Sequence, residues 1–82
     1  MVIIMATVRL FAQLREIAGA SSLEVTGSTV GEAVAACQET IGPDFTKLLT
    51  HCRIWLDGEP CSQNDPVNES SEIAILPPVS GG

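Results

Sequence analysis

Apolar residues recur at every second position at the start of the chain. The first set consists of Ile4, Ala6, Val8 and Leu10. Successive side chains of a β-strand point to opposite faces, so this period predicts an opening strand with the first set toward the core. Phe11 falls on the outward phase of the same strand. A second alternating stretch, residues 22–26, is predicted to pair back on it.

Between these two strands, residues 12–18 are mostly good helix formers. Leu14 and Ile17 fall on one side of this segment, and Gly19 stands where a left-handed residue would end a helix. One or two helical turns are therefore expected, with Leu14 and Ile17 as their apolar side.

The period changes to that of a longer helix at Thr29. Thr29 and Glu32 match the capping box, in which the Thr hydroxyl and the Glu carboxylate satisfy backbone donors of the first turn. Gly42-Pro43 is typical of a helix end. One apolar stripe runs between these signals and predicts the main helix that packs across the sheet. It consists of Val30, Ala33, Val34, Cys37 and Ile41.

The second half of the chain predicts a short helix and two further strand regions. Apolar residues around Phe45 suggest a short helix, and residues 53–56 have strand-forming types. Asp57-Gly58 predicts a type I′ hairpin turn, and Pro60 places the return strand at an edge or a bulge. A polar stretch, residues 62–71, leads into the last strand, residues 72–76.

This order of elements predicts an α+β fold. The first and last strands are both strongly apolar, and one sheet crossed by one helix is the economical packing. A ubiquitin-like β-grasp satisfies the pattern: a mixed sheet of four or five strands on one main helix, with the terminal strands parallel in the middle. We expect residues 1–78 to form this domain and residues 79–82 to form a flexible C-terminal Gly-Gly tail.

Composition narrows the possible partners. The 82 residues carry a net charge of −6, which repels nucleic acid and anionic membranes and favours a basic protein surface; solubility alone would also explain this charge. The apolar segment 1–8 is too short for a membrane span and lacks the basic start of a signal peptide. A cytoplasmic protein that binds neither nucleic acid nor membrane is expected.

Catalytic and metal-binding motifs are not apparent inside the chain. Cys37, Cys52 and Cys61 lack the C-x-x-C spacing of a zinc site and are expected to be reduced thiols. His51 adjoins Cys52, but no group is evident that would orient it as a general base. The acidic residues are scattered, so no metal site is predicted.

The end of the sequence is its most specific feature. Gly81 and Gly82 follow Pro77-Pro78-Val79-Ser80. Glycines have no Cβ, so they can lie extended in a narrow channel, while the two prolines stiffen the base of the tail. We therefore predict that the terminal carboxylate of Gly82 is the functional group and that residues 79–81 present it.

The two ends of the chain resemble one known family. Residues 8–16, Val-Arg-Leu-Phe-Ala-Gln-Leu-Arg-Glu, and residues 76–82, Leu-Pro-Pro-Val-Ser-Gly-Gly, are similar to the small subunit of molybdopterin synthase, in the MoaD/ThiS family of sulfur carriers. The resemblance covers nearly the whole chain in length and element order, and only the two ends carry specific motifs.

This resemblance implies a carrier that is not itself an enzyme. A ubiquitin-activating-like (MoeB-like) adenylyltransferase would use ATP to adenylate the Gly82 carboxylate, and sulfur from a persulfide donor would replace AMP. The resulting thiocarboxylate would give its sulfur to a cyclic pterin precursor in the large (MoaE-like) subunit, forming the molybdopterin dithiolene. A heterotetramer and no bound cofactor are implied.

Partner-binding residues are expected around the base of the tail. Phe11 and Leu76 both fall on the outward phase of their strands, where exposed apolar side chains would form a docking patch; a loop packing over them is the alternative. The resemblance favours docking for Phe11, pairs Arg15 with an acidic partner residue, and adds Pro77 and Pro78 to the interface.

Other functions remain open at this point. A sulfur carrier for thiamine thiazole or cysteine would differ in the synthase it binds. A protein modifier joined to lysines by its Gly-Gly end would produce adducts of higher mass. A plain interaction domain would be insensitive to loss of its last two residues.

Overall fold

A computed structural model describes residues 4–78 of the chain. The strands are β1 (Met5–Leu10), β2 (Ser22–Thr26), β3 (Arg53–Leu56), β4 (Glu59–Pro60) and β5 (Glu72–Leu76). The helices are α1 (Gln13–Ala18), α2 (Val30–Ile41) and α3 (Pro43–Leu49). Each of these elements was predicted from the sequence pattern.

The five strands form one mixed sheet in the order β2-β1-β5-β3-β4. β1 pairs antiparallel with β2 and parallel with β5, and β5 pairs antiparallel with β3. The first and last strands therefore lie side by side inside the sheet, as a β-grasp requires. The predicted fold class is confirmed.

One face of the sheet is covered by helices. The β1 residues Ala6, Val8 and Leu10 are buried there, as the period of two predicts. The stripe on α2 is buried against them from Val30 to Cys37, and Phe45 of α3 is fully buried. The other buried apolar residues are Leu14, Val25, Val67, Ile73 and Ile75.

The start of α2 differs in one detail from the predicted capping box. The Glu32 backbone N–H donates to Thr29 Oγ1 at 3.2 Å, as expected. The Glu32 carboxylate, however, accepts from the backbone N–H of Ser28 at 2.9 Å and from its hydroxyl at 2.8 Å. These bonds from Ser28 lower the pKa of Glu32. Thr29 is thus the N-cap, and the carboxylate fixes the residue before it.

The short helix α1 buries less than its sequence indicates. Leu14 is fully buried, but Ile17 is 38% exposed, so only one of the two residues on the expected apolar side is buried. α1 lies beyond the end of β1 and packs on α3, so its six residues reach the core through the fully buried Leu14 and the partly buried Ala18. Gly19 ends the helix in the left-handed conformation at φ 74°, as predicted.

Two further segments were predicted from the sequence: the β3–β4 hairpin and the polar stretch, residues 62–71. Asp57 and Gly58 have φ values of 52° and 85°, which a type I′ turn requires. The stretch before β5 is more ordered than its polarity suggests, because Val67 is buried and the Val67 N–H donates to the Ser28 carbonyl at 3.0 Å. Pro66 also forms a β-bridge with Thr29.

Gly27 lies where the backbone passes close to α2. A Cβ added there would stand 2.7 Å from the backbone nitrogen of Ala33, closer than real Cβ contacts. We expect Gly27→Ala to destabilise the fold by about 1–3 kcal/mol, because the helix must shift to admit the methyl group. Thermal unfolding measures this loss, at about 4–8 °C per kcal/mol for a domain of this size. Ser22→Ala on exposed β2 is the control, and equal stability of the two variants would contradict the close approach.

Candidate docking face and base of the tail

Among residues 4–78, no helix covers the second face of the sheet. Ile73 and Ile75 of β5 point into the core, so Ala74 and Leu76 lie on this open face. Trp55 of β3 pairs with Ala74, and Arg53 pairs with Leu76 in the ladder. The open face therefore has an apolar region at its centre, which includes the half-buried Trp55 and Leu76.

Phe11 extends this region at the end of β1. Leu10 pairs with Ile75 in the parallel ladder, so Phe11 and Leu76 are the residues that follow on the two strands. Phe11 is 40% exposed. We call Phe11, Trp55, Ala74 and Leu76 the docking face. The predicted exposure of Phe11 is observed, whereas Leu76 is half-buried.

Ala12 turns the chain sharply after Phe11. Its φ of 51° and ψ of −123° lie in a region that glycine favours and that costs an alanine on the order of 1–3 kcal/mol. The turn ends β1 and starts α1 at once. Phe11 is thereby the last residue on the strand side of the turn, at the rim of the docking face.

The base of the C-terminal tail is fixed to the same region. β5 lies between β1 and β3, so its end at Leu76 is held by a strand on each side. Pro77 is half-buried and Pro78 is exposed. The predicted tail residues Val79, Ser80, Gly81 and Gly82 lie outside the described residues. Arg15 is exposed on α1, at the end of the sheet where β5 stops.

Charges are distributed unequally between the two ends of the sheet. The end at which β1 and β5 begin carries six carboxylates, and among residues 4–78 the basic side chain that reaches it is Arg9. They belong to Glu32, Asp57, Glu59, Asp65, Glu69 and Glu72. The opposite end has Arg15, Lys47 and Arg53, together with the carboxylates of Glu16, Glu39 and Asp44. Arg9 Nε lies 2.9 Å from Glu72 Oε1 and forms a solvent-exposed ion pair of small energetic weight.

The cysteines have the surroundings of structural thiols. Cys37 is buried in the core, and burial raises its pKa to about 11. Burial also raises the pKa of Cys52, whose Sγ donates to the Leu48 carbonyl at 3.1 Å. For Cys61, burial and then the charge of Asp65 raise the pKa. Protonated thiols are poor nucleophiles, and the exposed His51 beside Cys52 donates its backbone N–H to the Leu48 carbonyl at 3.0 Å.

A shallow cleft of about 540 Å³ lies on the helical side, between α2, α3 and β3. Its walls include Gln38, Thr46 and Cys52, and Gln38 Nε2 donates to Thr46 Oγ1 at 3.4 Å. Within residues 4–78, no three His, Cys, Asp or Glu side chains converge as metal ligands. Helices in the same range are all too short or too polar to cross a bilayer.

The mixed sheet, the helix packed across it and the tail leaving from a central strand define a ubiquitin-like β-grasp protein. A comparison with protein families makes the assignment narrower. The ThiS family matches residues 8–82, and the chain belongs to this family of ubiquitin-like sulfur carriers. The family fold is not itself catalytic.

Individual relatives agree with this assignment. The chain is 31% identical to small archaeal modifier protein 1 of Haloferax volcanii, over 90% of this chain and 97% of that protein. The solution structure of small archaeal modifier protein 1 from Methanosarcina acetivorans matches with a TM-score of 0.88 and 26% identity over all of both chains. The complex of subunits 1 and 2 of the molybdopterin-converting factor from Helicobacter pylori matches with a TM-score of 0.73 and 28% identity, over 95% of this chain and 99% of that chain.

Proposed function

We propose that the protein carries sulfur as a thiocarboxylate on Gly82 and delivers it as the small subunit of molybdopterin synthase. One observation supports this most directly: the strand that leads to the tail is held in the middle of the sheet and ends beside exposed Phe11. A partner that binds the docking face therefore receives the tail at a fixed place. Four residues beyond Pro78 span about 13–14 Å when extended, enough to enter a partner's active site.

Activation precedes the loading of sulfur. A carboxylate is a weak electrophile, so an oxygen of the Gly82 carboxylate attacks the α-phosphate of ATP on a MoeB-like adenylyltransferase, and pyrophosphate leaves. A persulfide donor then transfers its terminal sulfur to the Gly82 carbonyl as AMP leaves, and a reductant releases the thiocarboxylate from the donor cysteine. ATP is thus used by the activating partner, and the carrier itself holds no cofactor.

The acceptor is proposed to be a cyclic pterin in the large, MoaE-like subunit. Support comes from the similarity to subunit 1 of the Helicobacter pylori molybdopterin-converting factor, which forms a complex with subunit 2. The docking face and Pro77 and Pro78 would contact the large subunit, and Arg15 would pair with one of its carboxylates. Two carriers and two large subunits would form the heterotetramer.

A second candidate function is protein modification. It is supported by the 31% identity to a protein named as a modifier, small archaeal modifier protein 1. The same adenylated Gly82 would then react with lysine amines instead of sulfur. The two functions share the activation step and differ in the nucleophile that follows it.

The intact mass of the protein after incubation with its adenylyltransferase, ATP and a persulfide donor tests the carrier function. We expect a shift equal to one oxygen replaced by sulfur. Adding the large subunit and the pterin precursor should then return the carrier to its original mass while a dithiolene forms. An unchanged mass, under conditions that load a known carrier, would contradict sulfur carriage. A loaded carrier that the large subunit cannot unload would contradict the proposed pathway only.

A further inference from the structure

Lys47 is the one lysine in the 82-residue sequence, which also contains three arginines. A guanidinium stays protonated in proteins and is not a nucleophile. Any amide bond from an activated Gly82 to a side-chain amine of this same chain must therefore form at one position.

The local structure presents Lys47 to solvent. Lys47 lies in the last turn of α3, two residues after Phe45, which is fully buried. Two helical residues turn by about 200°, so the side chain of Lys47 leaves the helix on the side opposite the core. The residue is exposed, and the ion pair found among the described residues is Arg9 with Glu72, so no carboxylate there holds the Lys47 amine.

The position of α3 keeps this amine away from the docking face. α3 packs on α1 and α2 and sends Phe45 into the core from the helical side of the sheet. Phe11, Trp55 and Leu76 lie on the open face. Lys47 therefore lies outside the docking face, and a free copy of the chain can serve as an acceptor.

We propose that Lys47 is a self-modification site: the Gly82 carbonyl of one copy forms an isopeptide bond with Lys47 of a second copy. This rests on the proposed activation of Gly82. The neutral Lys47 Nζ attacks the carbonyl carbon of the Gly82 acyl-adenylate, a C–N bond forms, and AMP leaves with the electron pair of the broken C–O bond. The nitrogen loses one proton to solvent. The result is a defined linkage that repeats if the second copy is itself activated.

The test separates the donor from the acceptor. The donor is Lys47→Arg with an intact tail, and the acceptor is the chain without Gly82, which is expected not to be activated. Both are incubated with the adenylyltransferase and ATP, without a sulfur donor. We expect one new species with the mass of one donor plus one acceptor less one water. Cleavage after Glu72 should leave residues 73–82 of the donor attached to Lys47 of the acceptor.

Lys47→Arg in the acceptor should remove this species completely. Arginine preserves the positive charge in the last turn of α3, and the Lys47 carbonyl that accepts from the Thr50 hydroxyl at 2.9 Å is unaffected. Consumption of ATP with release of pyrophosphate, but no joined species, would overturn the self-modification site and leave the carrier function standing. If the Lys47→Arg acceptor is still joined to the donor, through its α-amino group, the self-modification site would also be overturned. Failure to release pyrophosphate, with an adenylyltransferase that activates a known carrier, would instead contradict the proposed activation of Gly82.

Discussion

Removing Gly82 should abolish loading of sulfur while leaving the fold intact. The deletion withdraws the reactive carboxylate by about 3.5 Å, the length of one extended residue. Misplacing a reacting group by as little as 1 Å can cost about a hundredfold in rate, so we expect loading to fall by more than about a hundredfold. Stability should not change, since β5 ends at Leu76, six residues before the deletion. Intact mass measures the loading, and thermal unfolding measures the stability.

Ser80→Ala is the matched control for this deletion. It alters the tail but preserves its length and both glycines. We expect it to load at close to the rate of the original protein, because the Gly82 carboxylate and the length of the tail are unchanged. Normal loading of the chain that lacks Gly82 would be incompatible with chemistry at that residue.

Phe11→Ala should weaken binding to the large subunit and to the adenylyltransferase. An aromatic residue that acts as an anchor in an interface commonly contributes about 2 kcal/mol or more, and each 1.4 kcal/mol is tenfold in Kd. We therefore expect Kd to rise about thirtyfold. Phe11 is 40% exposed in the free protein, so its truncation should affect stability much less than binding. Titration calorimetry with each partner provides the measurement.

Met5→Ala is the control for Phe11→Ala. Met5 lies on the same open face, is 38% exposed, and stands at the opposite end of β1. It removes a similar exposed apolar side chain from a position far from the tail. If the two variants weaken binding equally, the docking face is not centred where β5 ends.

Much of this fold could be predicted because its strands obey a strict period of two. Val8 and Leu10 are buried and Phe11 is exposed because the pleat alternates. The hairpin was equally readable, since Asp57-Gly58 supplies the two positive φ angles that the turn needs. These features depend on residues close together in sequence.

Features that depend on distant neighbours were not predictable in this way. Ala12 adopts a positive φ although nothing in its side chain favours it, because β1 and α1 are both fixed by packing. Val67 is buried within a polar stretch with no period, and its partner, the Ser28 carbonyl, is far away in sequence. The Glu32 carboxylate likewise accepts hydrogen bonds from Ser28, because the loop before α2 places the backbone N–H and the hydroxyl of Ser28 beside it.

The candidate site was predictable by residue but not by arrangement. The outward phases of Phe11 and Leu76 follow from each strand alone, whereas their adjacency follows from the parallel register of Leu10 with Ile75. Trp55 joins them only because β3 is the other neighbour of β5. Lys47 was not singled out from the sequence, and its placement outside the docking face follows from the packing of α3.

The position of β5 has a consequence for synthesis of the protein. It is the last strand of the described chain, yet it fills the gap between β1 and β3, so those strands have no common neighbour until it arrives. Long-range pairings of this kind form late and slowly in folding. A nascent or truncated chain that lacks β5 thus has neither a finished sheet nor a tail. Partners that bind the folded docking face would not bind incomplete chains. Completion of translation would therefore decide which copies can be loaded with sulfur.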